Sequence, residues 1–205
     1  MIEKTVSSVA EIGFCPKAVV CDQGGQNQKV EPLFEQTEDG FYLISGFELV
    51  WIFDVPHLMK SLRNNLLNGD LLVGDNKVVS FRDIVAVYHI DSQSNTSRGL
   101  LKITPVHLNP NKFMRMNCRL ALQIFSHAVG TVIETLIETG QLQSSTAPNT
   151  AEFLLFMNDL FDCLNSRQLY NKNPNKNALS EDNIHQFDII NKALQLFKKL
   201  KKVNW

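Results

Sequence analysis

The sequence predicts an α/β segment followed by a mostly helical region. Two runs rich in β-branched and aromatic residues, 18–21 and 47–53, each end at an aspartate, Asp22 and Asp54. From residue 58 onward, apolar residues recur at helical spacing and strand signals become scarce. The 205-residue chain is 44% apolar and 20% charged, which is the composition of a protein that buries a core.

The α/β segment is predicted from the way the chain continues after each strand. Residues 18–21 predict a buried strand that delivers Asp22 to its carboxyl end. Residues 26–36 predict a short helix that Pro32 either breaks or starts. Pro56 suits the first turn of another helix. That helix has an apolar face of leucines, Leu58, Leu62, Leu66 and Leu67. Strands that lead from an acidic residue into a helix are typical of the sheet edge where ligands collect.

The rest of the chain is predicted to be helical. Residues 113–138 predict one packed helix, because apolar residues recur there every four positions. Thr150 is predicted to be the N-cap of the next helix. Residues 171–177 predict a polar linker or exposed loop, and Ser180 is predicted to cap a final amphipathic helix.

Charge and cysteine content limit the functional classes. The net charge of −1 gives no global attraction to nucleic acid, so any contact with DNA would come from a local patch. The dense basic run near the C-terminus consists of Lys198, Lys199, Lys201 and Lys202. The four cysteines lie far apart, with no CxxC pair, and predict free thiols in a reducing compartment. We expect no membrane-spanning segment and no membrane partner.

Two strand ends carry residues that are candidates for chemistry. Asp22 is either a ligand of a divalent metal such as Mg²⁺ or an ordinary turn aspartate, and spacing alone favours the turn. Asp54 and His57 could hydrogen-bond to each other or brace a loop, although the helix dipole favours an N-terminal aspartate regardless of function. The sequence has no Walker-type glycine-rich loop, so a nucleotide would bind without a P-loop.

Long stretches of the sequence resemble P-element-type DNA transposases and their THAP-domain relatives. The resemblance is carried first by residues 20–27 and then, most specifically, by fifteen consecutive residues at 53–67. It continues through residues 101–104, 110–126 and 150–167. It therefore covers nearly the whole chain, and it is weakest before residue 18 and after residue 175.

The resemblance implies two domains. Residues 1–59 would be part of an RNase H-like catalytic domain, and residues 60–205 would be a largely helical, GTP-binding insertion domain that is incomplete at its C-terminus. In that family three acidic residues hold two Mg²⁺ ions for DNA strand cleavage and transfer. The resemblance makes Asp22 the second of these, both catalytic and metal-ligating. It makes Asp54 and His57 a structural pair that lies just before the insertion.

The resemblance also implies a nucleotide site. Its contacts to GTP would be Lys102, Phe161, Asp162 and Asn165. Aspartate can accept hydrogen bonds from the guanine N1–H and exocyclic amine, phenylalanine can stack on the base, and lysine can meet a phosphate. Relatives often carry a lysine within residues 116–119, where this chain reads Met-Asn-Cys-Arg, so one expected contact differs.

The function implied is that of a transposase fragment. The partner of a complete parent protein would be transposon-end DNA, its cofactors GTP and Mg²⁺, and its location the nucleus. The first catalytic aspartate is expected before Met1 and the last glutamate beyond Trp205, so we expect guanine-nucleotide binding rather than catalysis from this chain in isolation. The alternatives are a domesticated, non-enzymatic interaction or regulatory protein that has lost its nucleotide, and an independent metal-dependent nuclease. Homo-oligomer formation is left open.

Overall fold

A computed structural model describes residues 1–74, 76–94, 98–166 and 168–204 of the chain. Arg167, within the resembling stretch, and Trp205, within the predicted second domain, lie outside the described residues. The chain forms two compact units, Met1–Leu58 and Met59–Trp205. The first is an α/β unit and the second is largely helical, which confirms the predicted fold class.

The first unit contains one four-stranded sheet. Its elements are α1 (Ile2–Glu11), β1 (Ala18–Cys21), α2 (Gly25–Val30), a 3-10 turn (Glu31–Leu33), β2 (Glu35–Gln36), β3 (Tyr42–Ile44) and β4 (Phe47–Phe53). The strand order is β1-β4-β3-β2, with β1 parallel to β4 and the other pairs antiparallel. Ser45 and Gly46 both have positive φ, as the two-residue type I′ hairpin between β3 and β4 requires.

Strand β4 was predicted correctly, and the prediction that β1 is buried is wrong. Val20 is 64% exposed, and burial along β1 alternates because only one face of the strand is covered by described residues. That covered face belongs to a small core of Val6, Tyr42, Ile44 and Leu49. Val6 comes from α1, a helix that the sequence did not predict.

The second unit contains most of the helices. Its elements, counting α3 from the boundary, are α3 (Val55–Leu66), β5 (Gly69–Val73), β6 (Lys77–Val79), α4 (Phe81–Ser92), α5 (Pro105–Leu108), α6 (Lys112–Arg115), α7 (Cys118–Ile124), α8 (His127–Glu138), α9 (Ala147–Leu164), a 3-10 turn (Pro174–Lys176), α10 (Ile184–Lys199) and β7 (Lys201–Asn204). Pro56 lies in the first turn of α3, as predicted. The strands form an antiparallel sheet in the order β6-β5-β7.

The single helix predicted over residues 113–138 is wrong, because the structure divides this stretch among α6, α7 and α8. Asn117 starts α7 by accepting hydrogen bonds from the N–H groups of Arg119 and Leu120, and Met116 is 70% exposed. By length and composition Cys118–Glu138 could cross a bilayer, with a mean hydropathy of 1.5. Its two helices have 7 and 12 residues, and each is shorter than the roughly 20 that a membrane span needs.

Two predicted helix caps and one predicted linker are also wrong. Helix α9 begins at Ala147, so Thr150 lies inside the helix and is fully buried. Helix α10 has Asn183 rather than Ser180 as its N-cap. The segment predicted as a polar linker or exposed loop contains the 3-10 turn and buries Asn175, which is 6% exposed.

Helices α8 and α9 form the centre of the second core. Their close approach depends on Gly130, because a Cβ atom at this position would lie 2.6 Å from Cγ of Leu155. Around this contact Ile133, Leu154 and Met157 are fully buried. The packing holds the carboxyl end of α9 in place, and the candidate site begins there.

Candidate nucleotide-binding site

A polar cavity of about 240 Å³ lies at the carboxyl end of α9. Its lining residues are Phe161, Asp162, Asn165, Ser166, Gln168, Asn171 and Lys176. Three of the four residues that the resemblance assigned to the nucleotide therefore come together. They do so because α9 ends between them: the N–H of Asn165 donates to the carbonyl oxygen of Phe161 over 2.9 Å and closes the last turn.

The opposite wall is a loop built on alternating asparagines. Oδ1 of Asn171 accepts from the N–H of Asn173 over 2.9 Å, and Oδ1 of Asn173 accepts from the N–H of Asn175 over 3.0 Å. Fully buried Gln186, on α10, donates from Nε2 to the carbonyl oxygens of Asn175 and Asn177 over 3.2 and 2.9 Å. Since these bonds satisfy the loop backbone, the loop is an ordered wall of the cavity.

Asp162 is the carboxylate of the cavity. Its side chain is 14% exposed, and Nζ of Lys176 lies 3.5 Å from its Oδ2 atom. Nδ2 of Asn173 donates to the same oxygen over 3.4 Å. Burial raises the pKa of Asp162 above its ordinary value, and nearby Lys176 opposes that shift. The cavity therefore presents a partly desolvated acceptor whose charge is compensated by one half-exposed lysine.

Lys102, the fourth predicted nucleotide contact, is not among the residues that line this cavity. It is exposed on the loop after α4, beside buried Leu100 and Ile103. Buried Asp91 fixes this loop by accepting hydrogen bonds from the N–H groups of Gly99 and Leu100, at 2.6 Å and 3.2 Å.

Sequence reasoning missed Ser166, Gln168, Asn171 and Lys176 as cavity residues. Asn171 and Lys176 were missed because residues 171–177 were predicted to be a linker or exposed loop. The signal that could have revealed order in this segment is Asn173 before Pro174, because that pattern is typical of a capped helical turn rather than of a linker.

The other predicted site residues lie at the carboxyl edge of the first sheet. Cys21 pairs with Phe53 in the parallel β1–β4 ladder, so Asp22 and Asp54 leave the sheet side by side. Oδ1 of Asp22 accepts from the N–H of Gly24 and from Nδ2 of Asn27, both over 2.8 Å, which is the geometry of a turn aspartate.

Asp54 and His57 contact each other directly. Oδ2 of Asp54 accepts from the backbone N–H of His57 over 3.1 Å and lies 2.6 Å from His57 Nδ1. The pair therefore caps the start of α3 with both a backbone and a side-chain interaction.

No metal site is formed by these carboxylates. Among the described residues there is no group of three or more His, Cys, Asp or Glu side chains that could hold a metal ion. A Mg²⁺ ion prefers octahedral oxygen coordination and is usually held by one or two carboxylates together with waters and substrate phosphates. Oδ1 of Asp22 accepts two protein hydrogen bonds, so this oxygen is engaged in the turn.

The fold defines a class of protein in which an α/β unit is joined to a largely helical unit, and the helical unit has a polar cavity at the end of α9. Residues 56–177 match the family described as the TNP-like, GTP-binding insertion domain. The chain belongs to that family.

Relatives and a solved structure point the same way. The transposable element P transposase of Drosophila melanogaster is 30% identical over 159 residues, which are 76% of this chain and 21% of the relative. The human DNA transposase THAP9 is 23% identical over 180 residues, 84% of this chain and 20% of the relative. The Drosophila P element transposase strand transfer complex matches with a TM-score of 0.85 and 25% identity, over 96% of this chain and 45% of that one.

These matches confirm the resemblance to P-element-type transposases. The chain spans about a fifth of the length of the curated relatives that it matches.

Proposed function

We propose that this chain is a segment of a P-element-type DNA transposase whose helical unit binds a guanine nucleotide in the α9 cavity. The observation that carries the proposal is the convergence of Phe161, Asp162 and Asn165 on one cavity inside the matched family region. Residues 1–59 would then be part of the RNase H-like domain, and residues 60–205 the insertion.

The size of the cavity supports binding of the base. Binding sites for whole drug-sized ligands measure roughly 300–1,000 Å³, and this cavity is about 240 Å³. It would therefore take the guanine ring and leave the sugar and phosphates at its rim. Asp162 would accept from the N1–H and exocyclic amine of guanine, while Phe161 would contact the face of the ring.

Lysines would meet the phosphates. Lys176 is half exposed and lies at the cavity rim, so its ammonium group can leave Asp162 and follow the polyphosphate when the base takes the carboxylate. Lys102 stays a prediction from the resemblance. By the same proposal, the parent protein would bind transposon-end DNA and act in the nucleus. Asp22 would be a Mg²⁺ ligand only in a parent protein that supplies further carboxylates.

Calorimetric titration of the 205-residue chain with GTP and then ATP tests the proposal. GTP is expected to bind at one site, and ATP about 100-fold more weakly. Adenine presents the N1 lone pair where guanine presents N1–H, and that lone pair would face the Asp162 carboxylate. Equal affinity for the two nucleotides would contradict the guanine site. Absence of any heat from the folded chain would favour the non-enzymatic alternative.

Guanosine affinity is expected to fall as the pH is lowered. Only the ionised Asp162 accepts both guanine donors, and burial raises the pKa of this carboxyl. The loss therefore begins at a higher pH than for an ordinary aspartate, and it reaches about tenfold per pH unit below that pKa. Guanosine is the ligand of choice because it has no titrating phosphate. Titrations at decreasing pH check this, and the Asp162→Asn variant should show a flat profile.

A further inference from the structure

Two adjoining cavities lie between the β5–β6 hairpin and α10 in the helical unit. They measure about 380 and 390 Å³, and both are lined by Val73, Lys77 and Leu196, so they form one continuous groove. Lys192 lines the first cavity and Lys199 the second. We call this feature the lysine groove. It shares no lining residue with the α9 cavity.

Regular secondary structure fixes the spacing of the three lysines. Lys192, Leu196 and Lys199 occupy positions i, i+4 and i+7 of α10, so they share one helix face, with the two lysines about 10 Å apart along the axis. Lys77 is the cross-strand partner of Val73 and lines the groove from the hairpin side. Lysine side chains therefore border the groove on both sides, and those of α10 are Lys192 and Lys199.

The rest of the lining is mainly apolar and partly aromatic. It includes Val79, Phe153, Phe156 and the two apolar residues shared by both cavities. Phe153 is buried, whereas Phe156 is only partly buried, so part of its ring surface is accessible. The groove thus combines cations with an apolar wall that could receive a flat ring.

The segment that borders the groove on the α10 side is rich in lysine, although the whole chain has a net charge of −1. Residues 189–204 contain five lysines and no acidic residue. Glu152 also lines the groove and forms a 2.7 Å ion pair with Lys77, which leaves Lys192 and Lys199 uncompensated by that carboxylate. Lys198, Lys201 and Lys202 are exposed nearby in sequence and extend the positive charge.

We propose that the lysine groove binds single-stranded nucleic acid. Lysine ammonium groups attract phosphates without reading base identity, and apolar or aromatic walls bind unstacked bases. A single strand offers both phosphates and unstacked bases. A duplex hides its base faces and would reach only the lysines. The inference does not depend on guanine binding, because the two sites have no residue in common.

Fluorescence anisotropy with labelled oligothymidylate, and with a duplex of equal length, tests the proposal over a range of salt concentrations. The single strand is expected to bind more tightly than the duplex. The double variant Lys192→Gln and Lys199→Gln should lower the slope of log affinity against log salt by about 1.4, since each phosphate contact on a single strand contributes about 0.7. The matched control is Lys4→Gln and Lys29→Gln, which removes the same charge from exposed lysines elsewhere and should keep the slope.

Three results would overturn the proposal. The first is equal or tighter binding of the duplex. The second is equal loss of slope in the groove and control variants, which would mean that net charge alone sets affinity. The third concerns competition. If polyglutamate displaced the labelled oligonucleotide as well as unlabelled oligothymidylate does, at equal concentrations of negative charge, the groove would be a general polyanion-binding surface.

Discussion

Replacement of Asp83 by alanine is expected to lower the free energy of unfolding by about 3–5 kcal/mol. Asp83 is only 4% exposed. Its carboxylate accepts hydrogen bonds from the hydroxyls of Ser144, Thr146 and Thr150 over 2.6, 2.8 and 2.6 Å. The variant removes the acceptor that these three hydroxyls share, including that of fully buried Thr150, and with it the link between the first turn of α4 and the start of α9. Urea denaturation followed by circular dichroism measures the loss.

Thr150→Val is the graded control for this cluster. It removes one of the three donors and keeps the shape of the side chain, so a smaller loss of about 1–2 kcal/mol is expected. The valine also leaves the N–H of Ser80 without the Thr150 oxygen, which accepts from it over 3.1 Å. If Asp83→Ala cost no more than Thr150→Val, the carboxylate would not organise the junction.

GTP is expected to bind the chain about 10- to 100-fold more tightly than ITP, and this preference should vanish in Asp162→Ala. Inosine lacks the exocyclic amine of guanine, so ITP loses one hydrogen bond to a carboxylate, worth about 1.5–3 kcal/mol. The alanine variant removes the acceptor for both donors, and its GTP affinity should fall about 100-fold or more. Calorimetric titration of both proteins with both nucleotides measures the coupling free energy between the Asp162 side chain and the exocyclic amine of guanine.

Asp159→Ala is the charge-matched control for that cycle. Asp159 is an acidic residue of the same helix, three positions before Asp162, and it does not line the cavity. Its removal should preserve the preference for GTP over ITP. A preference that survived Asp162→Ala, or was lost in Asp159→Ala, would show that another group recognises the amine.

The strongest local signals in the sequence predicted their elements correctly. The seven-residue run of β4 combines β-branched and aromatic residues, and α3 combines a proline in its first turn with regularly spaced leucines. In both cases local propensity and tertiary packing favour the same structure. The contact between Asp54 and His57 follows equally from local geometry, because an N-cap and the third helical residue lie within hydrogen-bonding distance.

The predictions from sequence failed where tertiary contacts determine the local structure. Apolar spacing continues through residues 113–138, but Asn117 caps a new helix there, and periodicity alone does not reveal such a break. Thr150 has the chemistry of a cap, yet its hydroxyl serves Asp83, which lies 67 positions earlier in the chain. Local patterns contain no information about such distant partners.

The residues of the candidate site also divide into those that the sequence could predict and those that only tertiary contacts bring to the cavity. Phe161, Asp162 and Asn165 were proposed from resemblance, and their shared cavity follows from one helix end. Lys176 and the asparagine loop were missed because the contacts that order the loop, those from buried Gln186, come from a later helix. A buried amide that donates to two backbone carbonyls is visible only once the helix is folded against the loop.

A crystal structure of the chain with bound GTP tests the central claim most directly. The guanine ring is expected in the α9 cavity, with its N1 and exocyclic nitrogen about 2.7–3.2 Å from the carboxylate oxygens of Asp162. Guanine seated elsewhere on the chain, or seated there with its sugar edge toward Asp162, would contradict it.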